Sequence, residues 1–345
     1  MRKIVVVPDS FKGTLSSIDF CRVAKKALDG EVIAVPVADG GEGTVDCFLE
    51  MGWNPVSATV TGPLFESVEA VYAVRGDTAV LESATACGLD LSGGLVMKAT
   101  TYGVGELIEH AVEVSGCKSI ILGLGGSGTN DGGCGALCAL GAKFYDSLGN
   151  SFVPVGGTLG LIADIDASEL PDIDLTLMCD VSTTFLDAAV IFAPQKGADE
   201  TEVLELTAGL MHLASFMPGI ENVPGGGAAG GLGAGLHFFL KGKIVSGIDA
   251  ILDAVDFENL ISDADFVITG EGKLDESSVS GKVVSGVARR AAALNVPCIA
   301  VCGAAEIDGT ALNLSAVHVI STKSKTLEEL KKTIKDDLYA KLKEL

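Results

Sequence analysis

The chain has 345 residues, 48% of them apolar and 20% charged, which is enough apolar material for sizeable cores and too much for intrinsic disorder. Forty-six acidic side chains against 24 basic ones leave a formal charge of −22, so the mean field repels polyanions and no nucleic-acid partner is expected. No stretch supplies the roughly 18 unbroken apolar residues of a membrane span.

The first element is KIVVVPD (3–9), an apolar run bounded by Pro8 and Asp9. It reads as a strand buried on both faces and is too short for a signal-peptide core. Ser16-x-x-Asp19 then opens a helix reaching Leu28 in a capping-box pattern. EVIAVPVAD (31–39) is a second buried strand. Residues 56–83 alternate around turns at Gly62-Pro63 and Arg75-Gly76-Asp77, which predicts antiparallel strands. Helical spacing returns from Gly103 to Val114, followed by the run SIILGLG (119–125). Residues 142–260 mix strands, Pro-rich loops and apolar helices. DFVITGEG (265–272), PCIAVCG (297–303) and AVHVIST (316–322) are further buried strands, with a helix from Gly281 to Leu294 between the first two. The C-terminal segment places Leu327, Leu330, Ile334, Leu338, Leu342 and Leu345 on one stripe of a docking helix capped by Thr326-x-x-Glu329.

Strand and helix in alternation predict an α/β protein with a doubly wound parallel sheet. The expected organisation is one discontinuous domain over 1–54, 84–141 and 262–345, interrupted by a second mixed α/β domain over 55–83 and 142–261. The nine cysteines contain no CxxC and lie mostly in apolar runs, so they read as buried thiols of a cytoplasmic protein. The four histidines are scattered, without the spacing of zinc ligands or of a histidine triad.

Ligands of an open parallel sheet bind beyond the carboxyl ends of its strands. Acids recur there: Asp9, Asp39, Asp131 after Asn130, Asp180, and Glu271 with Asp275. Each could be a helix N-cap. Together they suit a magnesium ion bridging a phosphate-bearing ligand, with Asp39, Glu271 and Asp275 as metal candidates. Gly41 to Asp46 and Gly270 to Asp275 share GEGxxD, an internal echo. Glycines cluster in the same places, 44 in all. GLGGSG (123–128) fits the GxGxxG of a dinucleotide site with Asp146 downstream, and PGGGAAGGLGAG (224–235) fits it without a preceding strand. No Walker A motif is present, since Ser280-Gly281-Lys282 lacks both flanks. Bare amides in these loops suit phosphate oxygens. The candidate cations are Lys12, Lys273, Lys196 and Lys282, each also readable as a solvated lysine.

PDSFKGTLS (8–16), ADGGEGT (38–44), TGP (61–63) and TTYGVGELI (100–108) resemble the type I bacterial glycerate kinase family. So do GLGGSGTNDGG (123–133), APQKGA (193–198), PGGGAAGGLGAGL (224–236) and TGEGKLD (269–275). The resemblance implies phosphorylation of D-glycerate by ATP with Mg²⁺, usually to 2-phosphoglycerate; separately, either a monomer or a homodimer is expected. It also implies a flavodoxin-like domain and a restriction-enzyme-like one, with the substrates in the cleft between them. Residues 182–187 depart from the family, which usually carries Asn-Pro-Leu there.

Phosphoryl transfer needs positioning, charge neutralisation and a base. Asp131 or Asp180 is the expected base, and Lys12 holds the phosphoryl group or the glycerate carboxylate. Ser10, Gly125, Gly126, Ser127, Gly128, Thr129, Asn130, Gly226, Gly227, Gly230 and Lys273 are the expected substrate and phosphate contacts. The alternatives are an NAD-dependent oxidoreductase using GLGGSG, a kinase of another small hydroxy acid, and a non-catalytic binder of small acids.

Overall fold

The computed structural model describes residues 1–38, 40–279, 283–320 and 325–345. Its strands in chain order are β1 (Lys3–Pro8), β2 (Glu31–Ala34), β3 (Asn54–Thr61), β4 (Ser67–Arg75), β5 (Thr78–Glu82), β6 (Ser119–Gly123) and β7 (Lys143–Tyr145). They continue as β8 (Ser151–Phe152), β9 (Asp164–Asp166), β10 (Asp174–Met178), β11 (Lys243–Val245), β12 (Phe266–Leu274), β13 (Cys298–Ala305) and β14 (Ala316–Val319). The chain divides into two compact units, one of residues 1–38, 46–52 and 246–345, the other of 39–45 and 53–245.

The first unit is built on a parallel sheet in the order β14-β13-β12-β1-β2. Renumbered within the unit, this is the 2-1-3-4-5 order of a flavodoxin-like fold, whose ligand crevice opens where the strand order reverses, here between β1 and β12. Ile4 to Val7 are fully buried, as an unalternating run requires when helices cover both faces. On one face, the helix Ser17–Ala27 packs with the C-terminal helix Leu327–Leu342 through Phe20, Ala24, Ile334 and Leu338. The predicted stripe on that last helix begins late: Ile334, Leu338 and Leu342 are buried, but Leu327 is largely exposed.

The second unit carries a six-stranded sheet, β11-β10-β6-β5-β4-β3, and a small antiparallel sheet, β8-β7-β9. β3, β4 and β5 form the expected antiparallel meander, and β5, β6, β10 and β11 run parallel. Its core gathers Tyr72, Leu81, Leu107, Ile120, Leu122, Phe144 and Phe185.

The domain boundaries differ from the sequence reading. Residues 84–141 do not join the flavodoxin-like unit, because β6 lies between β5 and β10, with Leu122 opposite Leu81 on one side and Leu177 on the other. An unalternating apolar run reports burial on both faces but not which sheet receives it. Residues 246–261, expected in the second domain, belong to the first unit: Arg290 of the helix Val283–Ala293 pairs with Asp253 and Glu258. The nine cysteines form no disulfide and are buried or half-buried. Among the described residues no helix is long and apolar enough to cross a membrane.

Candidate functional site

In the first unit, the carboxyl ends of β1 and β12 gather several of the expected residues. The Asp9 amide donates to the Gly270 carbonyl at 2.8 Å, and the Ser10 amide donates to the Asp9 carboxylate at 2.6 Å. The loop then closes on itself, with Phe11 and Leu15 exchanging backbone hydrogen bonds and both buried. That leaves Ser10 and Lys12 exposed at the rim, with Gly13 in the left-handed region at φ 78°. Gly272 lies beneath the loop, where a Cβ would sit 3.3 Å from the Phe11 Cα.

TGEGKLD is not a loop. β12 outruns β1, which ends opposite Gly270, and stays paired with β13 as far as Leu274. The run can stay in the sheet because Gly270 allows a backbone approach that a Cβ, 2.2 Å from the Val301 carbonyl, would forbid. Glu271 is buried, whereas Lys273 is half-exposed and ion-paired with Asp275 and Glu306. Asp275 caps its own turn through the amide and hydroxyl of Ser277. The GEGxxD echo is therefore one of letters only, since its first copy is a turn, with Gly43 at positive φ, that enters the helix Thr44–Glu50, and its second is extended strand as far as Leu274.

The second unit has its own rim at the carboxyl ends of β5, β6 and β10. The turn following Asp39 lies across it: the Gly40 carbonyl accepts from the Gly125 amide at 3.0 Å, and the Val45 amide donates to buried Glu82 at 2.5 Å. Asp39 itself, a metal candidate, and Lys282 fall outside the described residues. From Gly123 the chain enters the GLGGSGTNDGG loop, in which Gly126 is exposed and Ser127, Thr129, Asn130 and Asp131 are buried.

Asp131 is fully buried and accepts four hydrogen bonds. Its Oδ2 takes the Thr101 amide (2.7 Å), the Thr101 hydroxyl (2.9 Å) and the Gly135 amide (3.2 Å), and its Oδ1 takes the Gly133 amide (3.0 Å). Burial pushes its carboxyl above the usual range, and these donors pull it partly back. A carboxylate sealed this way pins a loop and has no access to a substrate proton, so the structure does not support Asp131 as the base. Asp180, just past β10, is exposed and remains in reach of a ligand.

The glycine loops are largely devices of close packing. The amides of Gly125 and Gly128 are occupied by the carbonyls of Gly40 and Cys87, and those of Gly226 and Gly227 by Val223 and Thr183. All four were expected to cradle phosphate, and none has that amide to offer. Gly230, at φ 65°, presses against the loop, where a Cβ would stand 2.1 Å from the Thr129 carbonyl. The divergent segment 182–187 is built into the same wall, with Phe185 fully buried beside Gly231 and Gly132. A dinucleotide reading loses its second element as well, since Asp146 is bound to Leu148 and Asn150 in its own hairpin turn.

Of two further features of this rim, sequence reasoning offered Lys196 as a candidate cation without its burial and passed over Glu82 and Ser83. Lys196, from APQKGA, is 3% exposed, and its ammonium donates to the Thr129 carbonyl at 2.7 Å and the Ser127 hydroxyl at 3.2 Å. Glu82, the last residue of β5, and Ser83 directly after it are also buried. The legible signal for Glu82 and Ser83 was an acid and a hydroxyl closing an apolar strand. For metal, no group of three or more His, Cys, Asp or Glu that could hold an ion occurs among the described residues. An all-protein cage is thus not what the described side chains build. Magnesium carried by a nucleotide needs only one or two carboxylates, which Glu271 and Asp275 can supply.

Comparison with known proteins agrees with the resemblance. The profile of the Glycerate kinase family matches residues 4–345. The chain is 39% identical to a glycerate kinase of Bacillus cereus over 97% of this chain and 95% of that protein. It is 40% identical to glycerate 2-kinase of Escherichia coli over 95% and 92%. A crystal structure from Salmonella typhimurium LT2, of a protein put forward as glycerate kinase 2, superposes with a TM-score of 0.86 at 35% identity, covering 99% of this chain and 96% of that one. With a fold, a loop set and a full-length sequence match that all coincide, this chain belongs to the glycerate kinase family.

Proposed function

We propose that the protein phosphorylates D-glycerate with ATP and magnesium, giving 2-phosphoglycerate, in the cytoplasm. The observation that carries this reading is the 40% identity to a glycerate 2-kinase along nearly the whole of both chains. The glycerate hydroxyl oxygen attacks the γ-phosphorus, the bond to the β-phosphate oxygen breaks, and ADP leaves. The hydroxyl proton passes to the Asp180 carboxylate, the exposed acid at the end of β10. Around the first unit's crevice, Ser10 and Lys12 hold phosphate oxygens, and Glu271 with Asp275 accept the metal. Magnesium, when bound, draws negative charge off the phosphates. Gly126 and Asn130 serve the glycerate.

The test is a coupled ADP-release assay with D-glycerate and, in parallel, L-lactate. Release that needs both D-glycerate and magnesium supports the reading. Equal turnover of the two acids points to a broader hydroxy-acid kinase, and binding without ADP release contradicts both.

A further inference from the structure

The loop that leaves β6 is held from several directions. Asp131 fixes its far end through four hydrogen bonds, and the Gly128 amide ties its middle to the Cys87 carbonyl. A further tie comes from Lys196, in the turn Pro194–Lys196 far along the chain. Its cation is almost wholly buried and, among the described residues, ion-pairs with no carboxylate; Cys87 and Asp131 are the titratable groups that act on it. A buried charge without an ion-pair partner opposes folding, so a tether needed only for stability is better made by an apolar or hydroxyl side chain.

Between the two anchored positions stands Asn130, 0% exposed, with neither its amide nitrogen nor its amide oxygen hydrogen-bonded within the protein. Buried side-chain amides are ordinarily satisfied. One left unmatched beside a cation tether marks a group kept for a ligand carrying both a donor and an acceptor, such as a hydroxyl next to a carboxylate.

We infer that Lys196 is a positioning residue, whose buried ammonium holds Ser127 and Thr129 so that the Asn130 amide is set for the hydroxy acid. The inference rests on the glycerate kinase reading for the identity of that acid and on geometry for the tether. Burial lowers the ammonium's pKa to about 8, which makes the tether observable by titration. Cys87, pushed up to about 12 by burial, stays a neutral thiol through that range.

The test combines backbone amide NMR of the full chain between pH 6.5 and 9.5 with steady-state kinetics of Lys196→Met and Lys196→Arg. In the wild type the Ser127, Thr129 and Asn130 amide signals move together in one step near pH 8; in both variants that step is absent. Lys196→Met lowers kcat with D-glycerate at least tenfold while KM for ATP changes less than threefold, and Lys196→Arg restores most of the loss. Wild-type signals that show no common step, or a Lys196→Met enzyme with wild-type kcat, overturn the inference. If the chain releases no ADP with D-glycerate, the functional reading fails while the titration still reports on the tether, and a variant that does not fold leaves the wild-type titration to decide.

Discussion

Replacing two acids of the second unit's rim, Asp131 and Asp180, separates their roles. Asp131→Ala strands four buried donors, the amides of Thr101, Gly133 and Gly135 and the Thr101 hydroxyl. At about 1 to 3 kcal/mol for each unsatisfied buried group, and allowing for water entering the space, the loss of stability should exceed about 4 kcal/mol. Asp131→Asn keeps a carbonyl oxygen for the three donors at Oδ2 and sets an NH₂ against the Gly133 amide. It also removes a charge whose pKa burial raises, so part of the lost hydrogen bonding is offset, and a net cost of about 1 to 3 kcal/mol is expected. The sign follows from that shift: a carboxyl raised on folding favours the folded state below its unfolded pKa and loses that contribution as pH rises through the folded pKa. Asp180→Asn, on the surface, should leave stability within about 0.5 kcal/mol and lower kcat by about a hundredfold or more. Urea denaturation and initial rates on the same preparations measure both. An Asp131→Asn protein of wild-type stability with a hundredfold lower kcat, beside a fully active Asp180→Asn, would refute this division of roles.

Lys12→Ala, exposed at the first unit's rim, should lower kcat/KM by about 30-fold, the equivalent of about 2 kcal/mol for a charge-assisted contact, with an unchanged Tm. Gly230→Ala places a methyl against the Thr129 carbonyl at a positive φ, and a drop in stability of at least about 2 kcal/mol is expected by thermal or urea unfolding. Burial raises the Cys298 thiol from 9.0 to about 12, so its neutral form stabilises the fold below pH 9 and that contribution is lost as pH rises toward 12. Urea midpoints should therefore fall between pH 8.5 and 10.5, and fall less in Cys298→Ala.

The strands were readable because unalternating runs such as KIVVVP and SIILG have one physical explanation, burial on both faces. Their assignment to sheets was not, since β6 would fit the centre of either sheet and only its pairing with β5 and β10 decides. Acids at strand ends were legible as a class, but burial divides them: Asp131 vanishes beneath its donors and Asp180 stays exposed. The glycine loops misled for a related reason. A glycine that brings a ligand close and a glycine that brings another strand close look identical in sequence, and Gly125, Gly128, Gly226 and Gly227 give their amides to neighbouring backbone. Lys196 was legible as a candidate cation, but its burial was not, because that depends on segments more than sixty residues away.

The central claim is a phosphoryl transfer to one hydroxyl of a three-carbon acid. Phosphorus-31 NMR of the chain with ATP, magnesium and D-glycerate tests it directly. The account predicts the growth of a 2-phosphoglycerate signal in step with ADP; ATP left intact, or inorganic phosphate appearing without any phosphoglycerate, would contradict it.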